Sequence, residues 1–113
     1  MTRYLISFDD GAMDGITEEE LPAVSEATHA VVREAQAAGV WVFGGGLLRQ
    51  RASVVATDGT VADGPFPETK AVLGGFSVID VPSREEALRW AAGFAASCRC
   101  AQEVREIMDD PDV

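Results

Sequence analysis

The chain contains short segments in which apolar residues recur at every second position and longer ones in which they recur every third or fourth. Residues 3–8 alternate between apolar and polar faces, which predicts a first β-strand. Residues 75–81 are apolar on both faces over much of their length, as in a central strand. Two shorter β-rich runs, 40–43 and 103–107, predict further strands at intermediate and final positions.

Two helices are predicted between these strands. Thr17 precedes Glu20 by three residues, the spacing of a capping box, and an apolar stripe of helical period follows, so we expect a helix over residues 18–38. Ser83 and Glu86 repeat this spacing ahead of a second apolar stripe. The second helix therefore begins at about Ser83.

A β-hairpin is predicted in the middle of the chain. The dipeptide Asp58-Gly59 separates two strand-like runs, 53–57 and 60–62. Such a dipeptide favours a two-residue type I′ turn, because both of its residues adopt positive φ. The element order is then β-α-β, a hairpin, and α-β.

This order indicates an α+β fold of the ferredoxin-like, dimeric α/β-barrel type, with two helices on one face of an antiparallel sheet. The other face has no third layer to cover it. We expect it to carry Tyr4, Trp41 and Phe76, which form an apolar patch large enough to require burial. Homodimerisation through that face is the predicted solution.

Composition narrows the classes of function. We expect one domain over residues 1–113, with an acidic and frayed tail at 108–113. Nine basic and nineteen acidic residues give a net charge of −10, which disfavours nucleic acid and anionic membrane surfaces as partners. No apolar run reaches membrane-spanning length, and the N-terminus enters a strand directly, so a cytoplasmic location is expected.

The segment Asp-Gly-Pro-Phe-Pro-Glu-Thr-Lys at 63–70, followed by Leu-Gly-Gly-Phe at 73–76, resembles the signature of the YCII-related family of the DGPF type. Flanking stretches at 38–47 and 85–91 are also similar to that family. The resemblance covers nearly the whole chain and implies a dimeric ferredoxin-like fold. It also implies a genomic association with sigma factors of the extracytoplasmic-function type.

The DGPF segment supplies the candidate ligand-binding residues. Its glycine and prolines restrict the backbone, and its acidic and basic side chains suit a small polar pocket. The alternative is that the aspartate builds the turn and the phenylalanine fills the core. The candidates are Asp63, Gly64, Pro65, Phe66, Glu68 and Lys70.

Other chemistry is weakly represented in the sequence. His29 is the single histidine and the candidate acid–base group, but it lies about 130° from the centre of the apolar stripe, which predicts a surface position. In some members of the wider family a His/Asp pair is thought to act, and His29 is not at the spacing from Gly39 expected for that histidine. Cys98 and Cys100 are too few to complete a closed metal site, so neither a metal nor a cofactor is expected.

These observations favour a small dimeric protein that binds a small polar or aromatic metabolite beside the DGPF segment. Weak acid–base chemistry of an isomerase or lyase kind is compatible with that hypothesis. The alternative is a non-enzymatic regulatory or interaction module, with a sigma factor as its possible protein partner.

Overall fold

The computed structural model describes residues 1–66 and 72–113 of the chain. Within these residues, the strands and helices predicted from the sequence are all present. In chain order they are β1 (Thr2–Asp9), α1 (Leu21–Ala37), β2 (Trp41–Gly46), β3 (Ser53–Val55), β4 (Val61–Asp63), β5 (Leu73–Val81), α2 (Arg84–Cys98) and β6 (Glu103–Glu106).

Four strands form one antiparallel sheet in the order β2-β5-β1-β6. β1 is central and pairs with β5 from Thr2 opposite Val81 to Asp9 opposite Leu73. Strands β3 and β4 pair with each other in a separate two-stranded sheet. This connectivity is the ferredoxin-like α+β arrangement predicted from the order of elements.

The core lies between the sheet and both helices. Ile6 and Ile79 from the central strands are at most 1% exposed, and they belong to one apolar cluster with Ala35 of α1 and Phe94 of α2. The two helices approach closely at Gly93, where an added Cβ would lie 3.6 Å from Val31. Both helices therefore cover the same face of the sheet.

The prediction about the open face was wrong for two of its three residues. Tyr4 is 3% exposed within the helix-covered core, and Trp41 packs there with its ring centroid 6.2 Å from that of Phe94. Phe76 pairs with Ser7 and so lies on the opposite face, as predicted. Strict alternation separates two faces but does not say which one the helices cover.

Helix α1 begins three residues later than predicted. The hydroxyl of Thr17 accepts a hydrogen bond from Glu20 N at 3.3 Å, so the capping-box contact exists, but it closes a turn that precedes the helix. Pro22 has no N–H to donate to the carbonyl four residues earlier, which interrupts the ladder. Regular bonding resumes with Val24 N to Glu20 O at 3.1 Å.

Strand β2 continues through the glycine run that the sequence placed after it. Gly44, Gly45 and Gly46 pair with Ser77, Phe76 and Gly75 of β5 in turn. At Gly44 an added Cβ would lie 2.6 Å from the carbonyl oxygen of Phe76. The absence of a side chain therefore allows β2 and β5 to pack closely at this point.

The β3–β4 hairpin is present, but its turn is not of type I′. Gly59 has φ of +87°, whereas Asp58 is not among the residues with positive φ. Ala56 O accepts a hydrogen bond from Gly59 N at 2.9 Å, and Ala56 N donates to Thr60 O at 2.8 Å. The connection is a three-residue loop in which only the last residue needs the left-handed region.

Helix α2 begins as predicted, because Ser83 Oγ accepts a hydrogen bond from Glu86 N at 3.2 Å. It ends at Cys98 and is followed by Arg99, whose φ of +58° is left-handed. Strand β6 then covers the second edge of β1, and residues 108–113 follow it without forming a helix or strand. Neither helix of the described chain is long and apolar enough to span a membrane.

Candidate functional site

A cavity of about 470 Å³ lies between α1, the C-terminal half of α2 and one end of the four-stranded sheet. This volume is within the range of small-molecule sites. The wall is formed by Phe8, Met13, Leu21, Val24, Ser25, Thr28, His29, Val32, Trp41, Gly44, Gly45, Gly46, Phe76, Ser77, Phe94, Cys98 and Gln102.

Aromatic side chains and glycines shape the cavity. Trp41 and Phe94 form a tilted pair within its wall. The ring of Phe8 occupies the space above Gly75, where an added Cβ would lie 2.6 Å from the ring. Gly46 is opposite Gly75 on the neighbouring strand, yet an added Cβ there would meet no atom within 4 Å. The wall is therefore closely packed where Phe8 contacts Gly75 and open at Gly46.

A few neutral polar groups interrupt the apolar wall. Ser77 is 9% exposed, and its hydroxyl has no hydrogen-bond partner within residues 1–66 and 72–113. Thr28 donates its hydroxyl to Val24 O at 2.9 Å, and its oxygen lies 3.4 Å from the sulfur of Cys98. Because Ser77 lines the cavity and its hydroxyl is not engaged elsewhere in the described chain, it is available to bond a molecule there.

Ser77 was not predicted as a site residue from the sequence. The sequence feature that could have identified it is its position as a polar residue between Gly75 and Ile79, which are buried on the helix-covered face of a central strand. An unpaired polar residue at such a position indicates either a water site or a ligand contact.

His29 lies on the wall of this cavity and its side chain is exposed to solvent. The predicted surface position is therefore correct, but the flank of α1 that carries His29 faces the cavity. Glu26, one turn before it, is hydrogen-bonded to Arg33 at 2.6 Å, and this bond lowers the pKa of Glu26 below its ordinary value. No carboxylate in the described part of the chain is hydrogen-bonded to His29, so no His/carboxylate pair is formed there.

The cavity wall contains no Asp, Glu, Lys or Arg side chain among the described residues, although the chain as a whole carries a net charge of −10. A ligand with a full charge would lose its hydration here without gaining a counter-ion. The wall is therefore suited to an uncharged molecule with apolar faces and a small number of hydrogen-bonding groups.

The DGPF segment does not line this cavity within the described residues. The carboxylate of Asp63 accepts a hydrogen bond from Ser53 Oγ, and Gly64 N donates to Ala52 O at 2.7 Å. Phe66 N donates to the side-chain oxygen of Gln50 at 2.8 Å, and the peptide bond before Pro65 is cis. These contacts join the segment to the opposite side of the hairpin.

The two remaining ligand candidates from the DGPF segment, Glu68 and Lys70, lie outside the described residues. The structure therefore brings together Asp63, Gly64, Pro65 and Phe66 at the base of the hairpin, away from the residues that line the cavity.

A buried carboxylate that the sequence did not reveal supports the base of the hairpin. The side chain of Asp10 is 6% exposed, and its Oδ2 accepts a hydrogen bond from Gln50 N at 3.0 Å. Arg49 lies 3.9 Å from Asp10 Oδ1 and also pairs with Asp14. Gln50 thus links Asp10 to the DGPF segment, a connection between residues 40 positions apart.

The two cysteines are free thiols at the end of α2. Cys98 is buried in the cavity wall, whereas Cys100 is partly buried. Burial raises the pKa of the Cys100 thiol, and the neighbouring Cys98 raises it further. Among the described residues, no group of three or more His, Cys, Asp or Glu side chains is placed to hold a metal ion.

Comparison with known proteins identifies the family and the fold. A solved structure of 5-chloro-2-hydroxyhydroquinone dehydrochlorinase from Burkholderia phenoliruptrix AC1100, in complex with 2,5-dihydroxybenzoquinone, is similar with a TM-score of 0.56. The two chains are 16% identical, and the match covers 97% of each, so the likeness concerns the fold. No curated protein matches the sequence. The model of the YCII-related domain matches residues 3–109, and the chain therefore belongs to the YCII-related domain family.

Proposed function

We propose that this protein binds a small, uncharged aromatic metabolite with hydroxyl or carbonyl groups in the cavity beneath α1. The observation that carries the proposal is the composition of the wall, in which aromatic residues and Ser77 line the same cavity and the Ser77 hydroxyl has no hydrogen-bond partner in the described chain. A planar ring would pack against Trp41 and Phe94, and Ser77 would fix its orientation through one hydrogen bond. The similar dehydrochlorinase was solved with 2,5-dihydroxybenzoquinone, a planar six-membered ring that carries hydroxyl and carbonyl groups.

Proton transfer is the second part of the proposal. His29 on the cavity wall would exchange a proton with a hydroxyl group of the bound molecule, because imidazole both accepts and donates protons in acid–base catalysis. Within the described residues, no carboxylate is hydrogen-bonded to His29 to orient its ring. Ligand binding is therefore the primary proposal and catalysis the secondary one. Any turnover would be of the isomerase or lyase kind, with His29 as the group that moves the proton.

The test is a titration followed by NMR, with hydroquinone and resorcinol, both uncharged aromatic compounds at neutral pH, as the added compounds. The indole N–H signal of Trp41 should shift, while that of Trp90, which does not line the cavity, should not. Ser77→Ala should raise the dissociation constant about 3- to 10-fold, the loss expected for one hydrogen bond. Ser7→Ala is the matched control, because Ser7 is 4% exposed and lies on the other face of the sheet.

If neither compound moves the Trp41 signal, the cavity is not a site for this class of molecule. That result would favour the alternative of a regulatory or interaction module. If both compounds bind and Ser7→Ala weakens binding as much as Ser77→Ala, the assigned orientation of the ligand is wrong.

We propose the DGPF segment as a second ligand-binding region, with Asp63, Glu68 and Lys70 as its polar groups. The hydrogen bonds of Asp63 and Gly64 within the hairpin support the turn-building role that the sequence left open. Asp63→Ala distinguishes the two roles: a large fall in melting temperature with unchanged binding indicates turn-building. Lost binding with an unchanged melting temperature in both Asp63→Ala and Lys70→Ala indicates ligand contact.

We also propose that the protein is a homodimer associated through the open face of the sheet. Phe43 is 62% exposed on that face, and its ring lies 5.6 Å from that of Phe76. Leu5 and Val78 are paired beside them on the central strands.

A further inference from the structure

The β3–β4 hairpin extends from the domain as an arm. All six residues of its two strands are exposed, and within the described chain these strands pair with each other and with no strand of the larger sheet. Val55 and Val61 are 66% and 60% exposed. A two-stranded hairpin without a surface to pack on is marginally stable in water, so this arm requires a partner surface.

Exposed apolar side chains are concentrated on the arm and at its base. Eight of the fourteen large apolar side chains that are exposed in the described residues fall between positions 42 and 73. They are Val42, Phe43, Leu47, Leu48, Val54, Val55, Val61 and Leu73. Scattered exposed apolar residues are ordinary, but a concentration of this kind marks an interaction surface.

The base of the arm is held in a defined position. Gln50, at the start of the arm, adopts a left-handed φ of +51° and donates its N–H to the buried carboxylate of Asp10. Arg49 pairs with Asp14 on the adjacent loop. These bonds give the arm a fixed direction relative to the sheet, as an element that docks on a partner requires.

The total exposed area agrees with a partner of similar size. The chain exposes 7751 Å², about 1,700 Å² more than the roughly 6,000 Å² typical of a compact monomer of 12.0 kDa. Its smallest dimension is 19 Å, about one helix layer on one sheet. A standard interface buries about 800 Å² per partner, so the excess is enough for an extensive dimer.

The local distribution of charge permits a second copy as the partner. Two copies that each carry a net charge of −10 repel one another, so they can associate only through surfaces of low charge. The strands of the arm contain one charged residue, Asp63, which is already bonded to Ser53. On the open sheet face, Phe43 and Phe76 form an apolar surface, and the charges that share this face are balanced in sign, with Arg3 opposite Asp80 and Arg105 beside Glu103.

We propose that the β3–β4 arm of each copy packs against the open sheet face of the other, where it covers the Phe43–Phe76 pair. This inference rests on the proposed homodimer and adds the arm to its interface. The partner is a second copy of this chain, and the arm is the part of the interface that crosses from one copy to the other.

The experiment measures dimer dissociation by analytical ultracentrifugation of the full chain over a dilution series. Val55→Asp should raise the dissociation constant at least about 10-fold, because a charge is then buried in the interface. Val55→Thr, which keeps the shape and strand preference of valine, should raise it by a smaller factor. Ala96→Asp adds the same charge at an exposed position of α2 and should leave the dissociation constant of the dimer unchanged.

Each outcome is decisive. If the wild type is a dimer and both Val55 variants dissociate like it, the arm lies outside the interface and this inference is overturned, while the homodimer stands. If the wild type is a monomer throughout the series, both the homodimer and the arm contact are overturned. Circular dichroism checks the fold of each variant, and Val55→Thr keeps the test valid if Val55→Asp unfolds. Ligand titrations on the same samples report on the cavity separately.

Discussion

Replacing each of two glycines of β2 by alanine should have opposite effects on stability. Gly44 and Gly46 lie two positions apart on one strand, so they point to the same face of the sheet. At Gly44 the new Cβ would be 2.6 Å from the Phe76 carbonyl oxygen and 3.0 Å from the Ser77 Cα. At Gly46 it would meet nothing within 4 Å. Neither residue has positive φ, so alanine suits both backbones.

The expected magnitudes follow from these distances. At Gly44 the clash is with backbone, so strands β2 and β5 must separate by several tenths of an ångström, and overpacking of this kind costs about 1–3 kcal/mol. Alanine also lowers the conformational entropy of the unfolded chain, which raises the free energy of unfolding by about 0.4–1 kcal/mol at either position. We therefore expect Gly44→Ala to destabilise the fold by about 1.5 kcal/mol and Gly46→Ala to stabilise it by about 0.5 kcal/mol.

Thermal unfolding at one fixed protein concentration measures the difference. With an unfolding entropy of about 2.1 cal/mol/K per residue, the melting temperature should fall by about 6 °C for Gly44→Ala and rise by about 2 °C for Gly46→Ala. Equal melting temperatures for the two variants would refute the close approach of β2 and β5. Gly46→Val extends the test to function, because its side chain would enter the cavity and weaken binding of hydroquinone.

Three further outcomes are expected. Ser83→Ala should lower the free energy of unfolding by about 1 kcal/mol in urea, since the α2 N-cap bond is lost. Asp10→Ala should lower the free energy of unfolding by about 1–3 kcal/mol, because Gln50 N loses its hydrogen-bond acceptor at the base of the arm. Hydrogen bonds from Thr17 and Arg99 lower the pKa of Glu20 in the folded protein. The stabilisation that these bonds give is present above the pKa of Glu20 in the unfolded chain, about 4.3. It is lost as the pH falls through the lower pKa of the folded protein. The stability difference between wild type and Arg99→Ala should therefore diminish on acidification through that range, and a difference independent of pH would contradict the assignment.

Local sequence signals were sufficient for the type and order of the elements. The alternation in β1, the continuous apolar run in β5 and the cap at Ser83 each depend on residues close together in the chain. Local signals were less reliable at boundaries, where a neighbouring residue alters hydrogen bonding. Pro22 delays α1, and the pairing of β2 with β5 extends that strand through its glycines.

The candidate site was only partly predictable for the same reason. His29 was selected by residue type, but its place on the cavity wall depends on how α1 lies across the sheet. Ser77 gained significance only when the register placed it beneath the helices without a partner. The DGPF segment was recognised as a motif, whereas its link to Asp10 through Gln50 required the folded chain.

The sequence by itself determined the fold class and the family resemblance, because periodicity and motif are properties of the chain, and its net charge predicts that strongly anionic partners are disfavoured. Only the tertiary structure decided which sheet face the helices cover and that the side chain of Asp10 is buried. It also decided that Gly44 lies against the neighbouring strand whereas Gly46 faces open space. These features arise between elements distant in sequence, where strand register and helix placement set the distances.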